Sequence, residues 1–371
     1  MNRSTFDVDV AVIGGGPAGA CAAIAARRAG ARVLLAERAA FPRRKACGCC
    51  LSTQAIQAIE SLDAGQVLEG AIPIHAVRLA RGDAEATIAR SGGAAIGRDA
   101  LDQRLLEVAR GRGADVRTLT PARVTAPGTL VLGDGQAQIH AAIVVVADGI
   151  AGSSLDEAQA GWVVSRASRM GFAAQVPGDA VQCTPGEIRM HADVHGYVGA
   201  VMLPDGAVDV AGAVLPGAVR ASGGAGECAA RILGQAVRNA DALRAARWRG
   251  TPELTRRRTT VAGPRLLVAG DAAGYVEPFT GEGIGWAAVS GAAAGQLAAR
   301  IARGEAREAD WPSIRAASLR ASAMRCRAIA LALRSPWAVR AAIGAVRIAP
   351  RLTERLTSGI GRPASAAEAR A

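Results

Sequence analysis

The glycine-rich segment near the start of the chain restricts the fold more than any other feature. An apolar run typical of a strand, Val8–Ile13, leads into Gly14-Gly15-Gly16-Pro17-Ala18-Gly19, and an alanine-rich helical stretch follows. Gly14, Gly16 and Gly19 have the spacing of dinucleotide-binding loops, where glycines allow a tight turn and close approach to a pyrophosphate. The N-terminus of the following helix then receives the pyrophosphate. The segment predicts a Rossmann-like α/β domain.

An acidic residue at the end of the next strand narrows the choice of nucleotide. The apolar run from Arg32 to Ala36 ends at Glu37. An acid at this place accepts hydrogen bonds from a ribose 2′-hydroxyl and disfavours a 2′-phosphate, which favours FAD or NAD over NADP. The predicted nucleotide contacts are Gly14, Gly16, Pro17, Ala18, Gly19, Glu37 and Arg38.

A second glycine-rich loop far downstream favours a flavin. The segment from Gly270 to Ile284 ends in Gly281-Glu282-Gly283 ahead of an apolar run, which is typical of a helix start. Free N–H groups and a positive dipole end then face the negative charge that develops on a reduced flavin. FAD needs two such places, one for its adenosine diphosphate half and one for its isoalloxazine half.

The residues between these loops return the chain to the first domain. Leu101, Leu105 and Val108 share one face of a predicted helix that begins near Arg98. A buried strand then ends in Asp148-Gly149. We predict a discontinuous FAD-binding domain at 1–160 and 262–311 with a substrate-domain insertion near 71–95, a β-rich substrate domain at 161–261, C-terminal helices at 312–357 and a flexible tail at 358–371.

These segments, taken together and in this order, resemble the superfamily of FAD-dependent monooxygenases and geranylgeranyl reductases, which has the fold of p-hydroxybenzoate hydroxylase. The matching pieces span residues 8 to about 300. The resemblance implies that Arg98 contacts the FAD phosphates or the flavin, and that Asp148 and Gly149 contact FAD and NAD(P)H. It also implies that Asp271 binds the ribitol chain, and that Pro278, Gly281, Gly283 and Ile284 approach the flavin ring.

A cysteine cluster matches the reductase branch of this superfamily. Lys45-Ala46-Cys47-Gly48 has the Cys-Gly pair that follows a basic residue near the flavin in that branch, and Cys49 and Cys50 come next. Cys47 is therefore a candidate redox or proton-handling thiol, with Lys45 as a cofactor contact. Metal binding and simple packing are the alternatives, and we predict no metal because no second cluster of ligands appears. Seven cysteines without an export signal argue against a disulfide framework.

The predicted substrate region departs from the reductase pattern. Geranylgeranyl reductases carry Tyr-x-Trp-x-Phe-Pro here, whereas this chain keeps Tyr197 but has Gly199 and Val201, and its Pro204 comes two positions later. The departure argues against a geranylgeranyl substrate. The chain is also similar to flavoproteins associated with bacterial type III polyketide synthases. Tyr197, His191 and His195 are candidate acid–base residues, with a structural role as the alternative for the histidines.

Composition and the tail bear on partners. The net charge of +12 comes with one lysine and 3% aromatic residues, so we expect no nucleic-acid partner. No apolar run of spanning length and no export signal appear, which predicts a cytoplasmic protein. Residues 313–348 predict two helices broken near Ser335-Pro336, either a cap over the pocket or a membrane-surface pair that gives peripheral membrane contact.

The resemblance implies an FAD-dependent oxidoreductase acting on a lipophilic small molecule, with NAD(P)H as a transient reductant. We expect a monooxygenase that hydroxylates an aromatic or polyketide-type compound. The alternative is a reductase of isoprenoid or quinone carbon–carbon double bonds, for which the Cys47-Gly48 pair argues. A non-catalytic flavin electron carrier is the second alternative.

Overall fold

The computed structural model describes residues 6–90, 92–133, 135, 137–156, 160–277, 279, 281–332 and 335–348. Pro278 and the tail at 358–371, both subjects of predictions above, lie outside these residues. In chain order the strands are β1 Val8–Ile13, β2 Val33–Ala36, β3 Cys50–Leu51, β4 Ile72–Pro73, β5 Ala76–Arg81, β6 Ala84–Ala89, β7 Ala94–Ala95, β8 Asp115–Arg117, β9 Ala122–Ala126, β10 Thr129–Leu132, β11 Ala137–Val146, β12 Trp162–Val164, β13 Met170–Val176, β14 Glu187–Ala192, β15 Gly196–Met202, β16 Val208–Val214, β17 Arg249–Glu253, β18 Arg256–Arg258, β19 Ala262–Gly263, β20 Leu266–Val268 and β21 Gly274–Tyr275.

The helices cover the faces of these strands. They are α1 Pro17–Arg28, α2 Thr53–Glu60, α3 Arg98–Gly111, α4 Ala218–Ala221, α5 Ala225–Leu233, α6 Ala240–Ala245, α7 Gly283–Ala302, α8 Trp311–Ala332 and α9 Pro336–Ile348. Short 3₁₀ turns lie at Gly65–Leu68, Gly234–Ala236, Gly270–Ala272 and Glu308–Asp310.

The main sheet is largely parallel and carries the nucleotide loops. Its order is β19-β20-β11-β1-β2-β8, and β9 and β10 extend one end of β11. The strands β20, β11, β1, β2 and β8 run parallel. Residues Val10–Ile13 are buried on both faces, which explains the unbroken apolar run in the sequence. The carboxyl ends of these strands face the loops at Gly14, Glu37 and Gly149.

Two glycines allow helix α7 to pack directly on α1. A Cβ atom on Gly291 would lie 2.1 Å from the Ala18 carbonyl oxygen, and one on Gly295 would lie 2.1 Å from the Ala22 carbonyl oxygen. Only glycine permits this distance between helix backbones. The contact holds the N-termini of α1 and α7, which follow the two glycine-rich loops, in one rigid unit.

A second sheet lies over the loops. Its order is β17-β13-β16-β15-β14-β5-β6, and its pairs are antiparallel except β14 with β5. Strands β5 and β6 come from the first part of the chain, so the segment 76–89 leaves the main sheet and completes this one. Leu203 and Ala207 close the hairpin between β15 and β16 through a backbone hydrogen bond of 2.8 Å.

Helices α8 and α9 form the third part of the molecule. Val339, Ile343 and Val346 on α9 are buried against apolar residues of the second sheet, including Leu79 and Met190. No single helix in the described ranges is long and apolar enough to cross a membrane; α8 and α9 satisfy that test only as a pair bent by 107°. The α/β class, with a Rossmann-like FAD-binding domain, a sheet domain and C-terminal helices, is confirmed.

Candidate active site

A cavity of about 690 Å³ lies where the main sheet, the second sheet and the C-terminal helices meet. This volume is in the range of small-molecule and cofactor sites. One end is formed by the two glycine-rich loops and the charged residues beside them, and we call it the flavin end. The other is formed by apolar residues of the second sheet, α8 and α9, and we call it the apolar end. Of the predicted site residues, the cavity is lined by Gly16, Pro17, Ala18, Lys45, Cys47, Arg98, Gly149, Tyr197, Asp271, Gly281, Gly283 and Ile284.

The first loop leaves backbone donors free at the flavin end. Gly14 has φ +106°, and a Cβ there would lie 2.4 Å from the Ala147 carbonyl oxygen; a Cβ on Gly19 would lie 1.8 Å from the Gly14 carbonyl oxygen. These two glycines make the turn and do not line the cavity. Gly16 is the N-cap residue of α1 and has no side chain to accept a hydrogen bond. The N–H groups of the first turn therefore have no capping side chain as a partner. This arrangement fits a pyrophosphate.

Glu37 and Arg38 lie beside the loop and outside the cavity. The Glu37 carboxylate accepts hydrogen bonds from Gly15 N at 2.7 Å and Ala39 N at 2.9 Å. It is buried, and oxygen lone pairs remain to accept a ribose hydroxyl. Arg38 is exposed and does not line the cavity, and its contact with the nucleotide stays a prediction.

Arg98 is held rigidly at the flavin end. Its guanidinium donates two hydrogen bonds to Asp102, at 2.8 and 2.7 Å, and both side chains are buried. Arg43 lies 3.8 Å from the same carboxylate. A paired guanidinium of this kind is pre-organised to bind phosphate or a flavin oxygen.

Lys45 and Asp271 face each other across this end. Burial, and then the Arg98 guanidinium, lower the pKa of Lys45. Burial raises the pKa of Asp271, while Lys45 and Arg98 act in the opposite direction. Gly149, at φ +82°, has room for the lysine because a Cβ there would lie 2.8 Å from Lys45 Nζ.

Asp148 binds the loop that follows β11 through hydrogen bonds, and its side chain does not line the cavity. Its Oδ2 accepts hydrogen bonds from Ser154 N at 3.0 Å and Ser154 Oγ at 2.7 Å. A Cβ on Gly152 would lie 2.0 Å from Asp148 Oδ1. The carboxylate therefore fixes the turn that presents Gly149 and Ile150 to the cavity.

The cysteine cluster lies between the two ends. A hydrogen bond with the Cys49 thiol lowers the pKa of Cys47 to about 5, against the effect of burial, and the Arg98 charge adds to the lowering. Cys50 also lines the cavity, but burial raises its pKa. All three thiols are free. Within the described ranges, no group of three His, Cys, Asp or Glu residues is placed to hold a metal ion.

Tyr197 belongs to a cluster that the sequence did not reveal. Its ring meets Phe279 edge to face, with centroids 4.9 Å apart, and lies 5.7 Å from the Arg169 guanidinium. Arg169 forms a buried ion pair with Glu277 at 2.7 Å. Burial, and then the Glu277 charge, raise the pKa of Tyr197, so its phenol is neutral.

The two histidines are not brought to the cavity. Ile188 and Met190 on β14 line it, and His191 therefore points to the opposite face of the sheet. Burial lowers the pKa of His191 to about 4. His195 lies in the loop before β15, where its backbone N–H donates to Asp193 Oδ1 at 2.7 Å. Neither is placed to act as an acid or base on a ligand in the cavity.

The apolar end is suited to a lipophilic molecule. Its walls come from the second sheet and from both C-terminal helices, with side chains that include Phe172, Met190, Val201, Leu254, Ile329 and Val339. Asp209 is a polar exception on this wall that the sequence analysis missed, although a charged residue between Val208 and Val210 in a central strand marked it as unusual.

Comparison with known proteins shows which family the chain belongs to. A family model described as FAD dependent oxidoreductase matches residues 9–151. A menaquinone reductase of Mycolicibacterium smegmatis is 30% identical over an alignment of 322 residues, and the match covers 78% of this chain and 76% of that protein. The chain belongs to the FAD-dependent oxidoreductase family. The free N–H groups at α1, the paired Arg98 and the glycines before α7 are consistent with FAD as its cofactor.

Solved structures share the fold of this family member. A flavoprotein/dehydrogenase of Cytophaga hutchinsonii has a TM-score of 0.76 at 18% identity and covers 95% of this chain and 92% of its own. The myxobacterial chondrochloren halogenase, an FAD-dependent enzyme, has a TM-score of 0.76 at 20% identity, with 95% and 92% covered. At these identities the likeness concerns the fold alone.

Proposed function

We propose that this flavoenzyme reduces a double bond of a lipophilic quinone or isoprenoid compound. The observation that carries the proposal is that the Cys47 thiol and the Asp209 carboxyl group both line the cavity, together with the apolar residues of the second sheet. Reduction of a carbon–carbon double bond needs a hydride and a proton. FAD, once bound and reduced by a nicotinamide dinucleotide, would supply the hydride, and a side chain in the cavity would supply the proton. The menaquinone reductase relative supports a quinone of this class.

The residues of the chain divide the remaining tasks. The N–H groups at α1 and Arg98 bind the negatively charged parts of the cofactor. The apolar end excludes water and orients the isoprenoid or quinone by contact area. Tyr197 and Phe279, locked by their edge-to-face contact, separate the two ends and limit how the substrate approaches.

The test is an anaerobic assay with FAD-loaded protein, a nicotinamide dinucleotide and menaquinones of different side-chain length. After reoxidation of any quinol in air, we expect the product still to carry two more hydrogen atoms than the substrate, by mass spectrometry. Flavin that is reduced by the dinucleotide and then not reoxidised by any quinone or polyprenyl compound would contradict the proposal. Tritium or deuterium from the dinucleotide in the product identifies the hydride source.

A monooxygenase is the second candidate. The observation that favours it is the small size of Gly199 and Val201 on the cavity wall, where the pattern of geranylgeranyl reductases has bulky aromatics and this chain has the Met190 side chain beside Gly199. Small side chains at these two positions leave room for an aromatic or polyketide-type substrate. The association of this chain with type III polyketide synthases stays a prediction. Mixing the reduced enzyme with oxygen and a phenolic substrate decides between the two, because a monooxygenase gives a product with one more oxygen atom.

We also propose that α8 and α9 bind an anionic membrane from which the lipophilic substrate enters. Residues 311–348 contain no Asp or Glu and seven arginines: Arg315, Arg320, Arg325, Arg327, Arg334, Arg340 and Arg347. Trp337, Leu331 and Met324 are 78%, 63% and 59% exposed on the same helices. Exposed apolar groups with arginines are typical of interfacial helices, and each basic residue adds about 1 kcal/mol near anionic lipid.

Co-sedimentation with phosphatidylglycerol and phosphatidylcholine vesicles tests this surface. We expect binding to the anionic vesicles, lost in the Leu331→Ser, Trp337→Ala double variant. Val194→Ser is the control, because Val194 is 67% exposed in a loop outside these helices. Equal binding by all three proteins would contradict the proposal.

A further inference from the structure

Asp209 occupies an unusual position for a carboxyl group. It lies in the middle of β16, is 4% exposed, and lines the cavity together with Ala211 and Ala213, which share its face of the strand. A buried ionised carboxylate is expensive unless it is paired. No arginine or lysine forms an ion pair with it among the residues that the structure describes.

The surroundings of Asp209 lack donors on one side. Its Oδ2 has no hydrogen-bond partner in the described part of the chain. Gln175 lies directly opposite on β13, and its Oε1 is likewise buried without a donor. Side chains directly opposite in an antiparallel pair are close neighbours. A proton on Asp209 removes the buried charge and provides a donor between two oxygens that otherwise have none.

Asp209 is also connected to Cys47. The Cys49 thiol donates a hydrogen bond to the Cys47 carbonyl oxygen at 4.0 Å, and its side chain lowers the pKa of both Cys47 and Asp209. The charged and titratable groups that act on Asp209 include Cys47, Cys49, Cys50, Asp99 and Arg44. Burial, and then the Cys47 charge, raise the pKa of Asp209, while Arg98 favours the Cys47 thiolate. Two neighbouring acids with opposite shifts are typical of paired acid–base roles.

We propose that Asp209 is the acid that protonates the substrate in the cavity, and that the neighbouring negative charge of Cys47 keeps it protonated. This role rests on the proposed reductase function. The double bond gains a hydride at one carbon, for which reduced FAD is the donor, and a proton from Asp209 at the other. Asp209 is left as a carboxylate and regains its proton from water when the product leaves.

Infrared spectroscopy of the protein without FAD tests the protonation state directly. We expect the carbonyl stretch of a protonated carboxylic acid at neutral pH, shifted in deuterated water and lost in the isosteric variant Asp209→Asn. Asp205→Asn is the control, since Asp205 lies exposed in the turn of the same hairpin. Cys47→Ser leaves the acid in place, and the band should then disappear at a lower pH, because the variant removes the negative charge that raises the pKa of Asp209.

Half-reaction kinetics then test the role. For Asp209→Asn we expect FAD affinity and flavin reduction by the dinucleotide as in the wild type. Reoxidation by the quinone should slow about 10²–10⁴-fold, as for loss of a general acid. The wild-type rate should fall as pH rises through the raised pKa of Asp209, and this decline should disappear in the variant.

The outcomes separate the two proposals. Absence of the acid band in the wild type, or a normal quinone rate in Asp209→Asn, would overturn the role of Asp209. A band whose pH dependence is the same in Cys47→Ser as in the wild type would overturn the link to Cys47. A wild type that has the band but reduces no quinone would instead count against the reductase function, and with it against Asp209 as the substrate's proton donor.

Discussion

The two ends of the cavity are built by different means. At the flavin end, backbone N–H groups, glycines at fixed positions and the Arg98–Asp102 pair present polar groups whose geometry tolerates little change. At the apolar end, side chains from the second sheet, α8 and α9 form a wall that depends on total area and shape. FAD is the same molecule in every member of the family, whereas the substrate differs. A cofactor that does not vary requires the same residue types at the same positions, whereas a substrate that varies requires only a surface of suitable size and polarity.

The largest effect is expected from the buried pair at the flavin end. Asp102→Asn leaves Arg98 and Arg43 without their shared carboxylate, and loss of one partner of a buried pair costs about 3–5 kcal/mol. We expect this loss in denaturant unfolding of the protein without FAD. FAD affinity should also fall about 10–100-fold, as for loss of a supporting residue.

The control for this variant is Asp115→Asn. Asp115 pairs with Arg117 at 2.7 Å, but its side chain is 51% exposed, and an exposed pair contributes about 0–1 kcal/mol. Equal losses of unfolding free energy in the two variants would show that burial does not set the strength of the Arg98–Asp102 pair.

A smaller effect is expected where α7 meets α1. Gly295→Ala places a Cβ 2.1 Å from the Ala22 carbonyl oxygen, and separating the helices should cost about 1–3 kcal/mol. Because both N-termini move with these helices, FAD binding should weaken as well. Gly344→Ala on α9 meets no atom within 4 Å and should raise the unfolding free energy by about 1 kcal/mol. If both variants were destabilised, the close contact between α7 and α1 would not be the cause of the lower unfolding free energy of Gly295→Ala.

The same contrast explains what the sequence could predict. The strand, loop and helix around Gly14, and the helix start at Gly283, are local patterns with few structural alternatives, and both were located correctly. Their chemistry follows from backbone groups that any sequence with those glycines exposes. The parallel sheet and the hairpin of β15 and β16 were predictable for the same reason.

The substrate side was less predictable because its contacts join distant segments. Asp209 meets Cys49, and Arg169 meets Glu277, across separations that no local pattern records. His191 shows a second limit, since a shift of one residue along a strand moves a side chain to the other face. Met190 faces the cavity and His191 does not.

At the apolar end of the cavity, Val339→Ala tests whether the side chains there contact the substrate and not FAD. Val339 is 3% exposed and lines the cavity, so the variant removes apolar contact area worth about 0.8 kcal/mol per methylene. We expect KM for a lipophilic substrate to rise several-fold to about tenfold, with FAD affinity unchanged. Val346→Ala is the matched control, because Val346 is buried on the same helix without lining the cavity. It should lower stability and leave KM unchanged; a similar KM in both variants would contradict the assignment of this end.

The smallest change in rate is expected for the alkylation of Cys47, whose pH dependence should nevertheless shift strongly. Its pKa near 5 makes it a thiolate at neutral pH, whereas an ordinary thiol is mostly protonated there. A thiolate of low pKa is also a weaker nucleophile, because nucleophilicity falls with pKa along a Brønsted slope of about 0.4–0.5. This fall offsets most of the rate that the larger thiolate fraction adds. Alkylation by iodoacetamide at pH 7 should therefore be only a few-fold faster than in unfolded protein.

The midpoint of the alkylation profile carries the information. In folded protein without FAD, with Cys50→Ser as the background, the Cys47 rate should reach half its plateau near pH 5. In urea it should rise through the ordinary thiol range. Since the folded pKa is depressed, ionisation of Cys47 favours the folded state at neutral pH, and this contribution is lost as pH falls through 5. A folded midpoint near that of the unfolded chain would show that Arg98 and Cys49 do not stabilise the thiolate, and the polar flavin end would then stop short of the cysteine cluster.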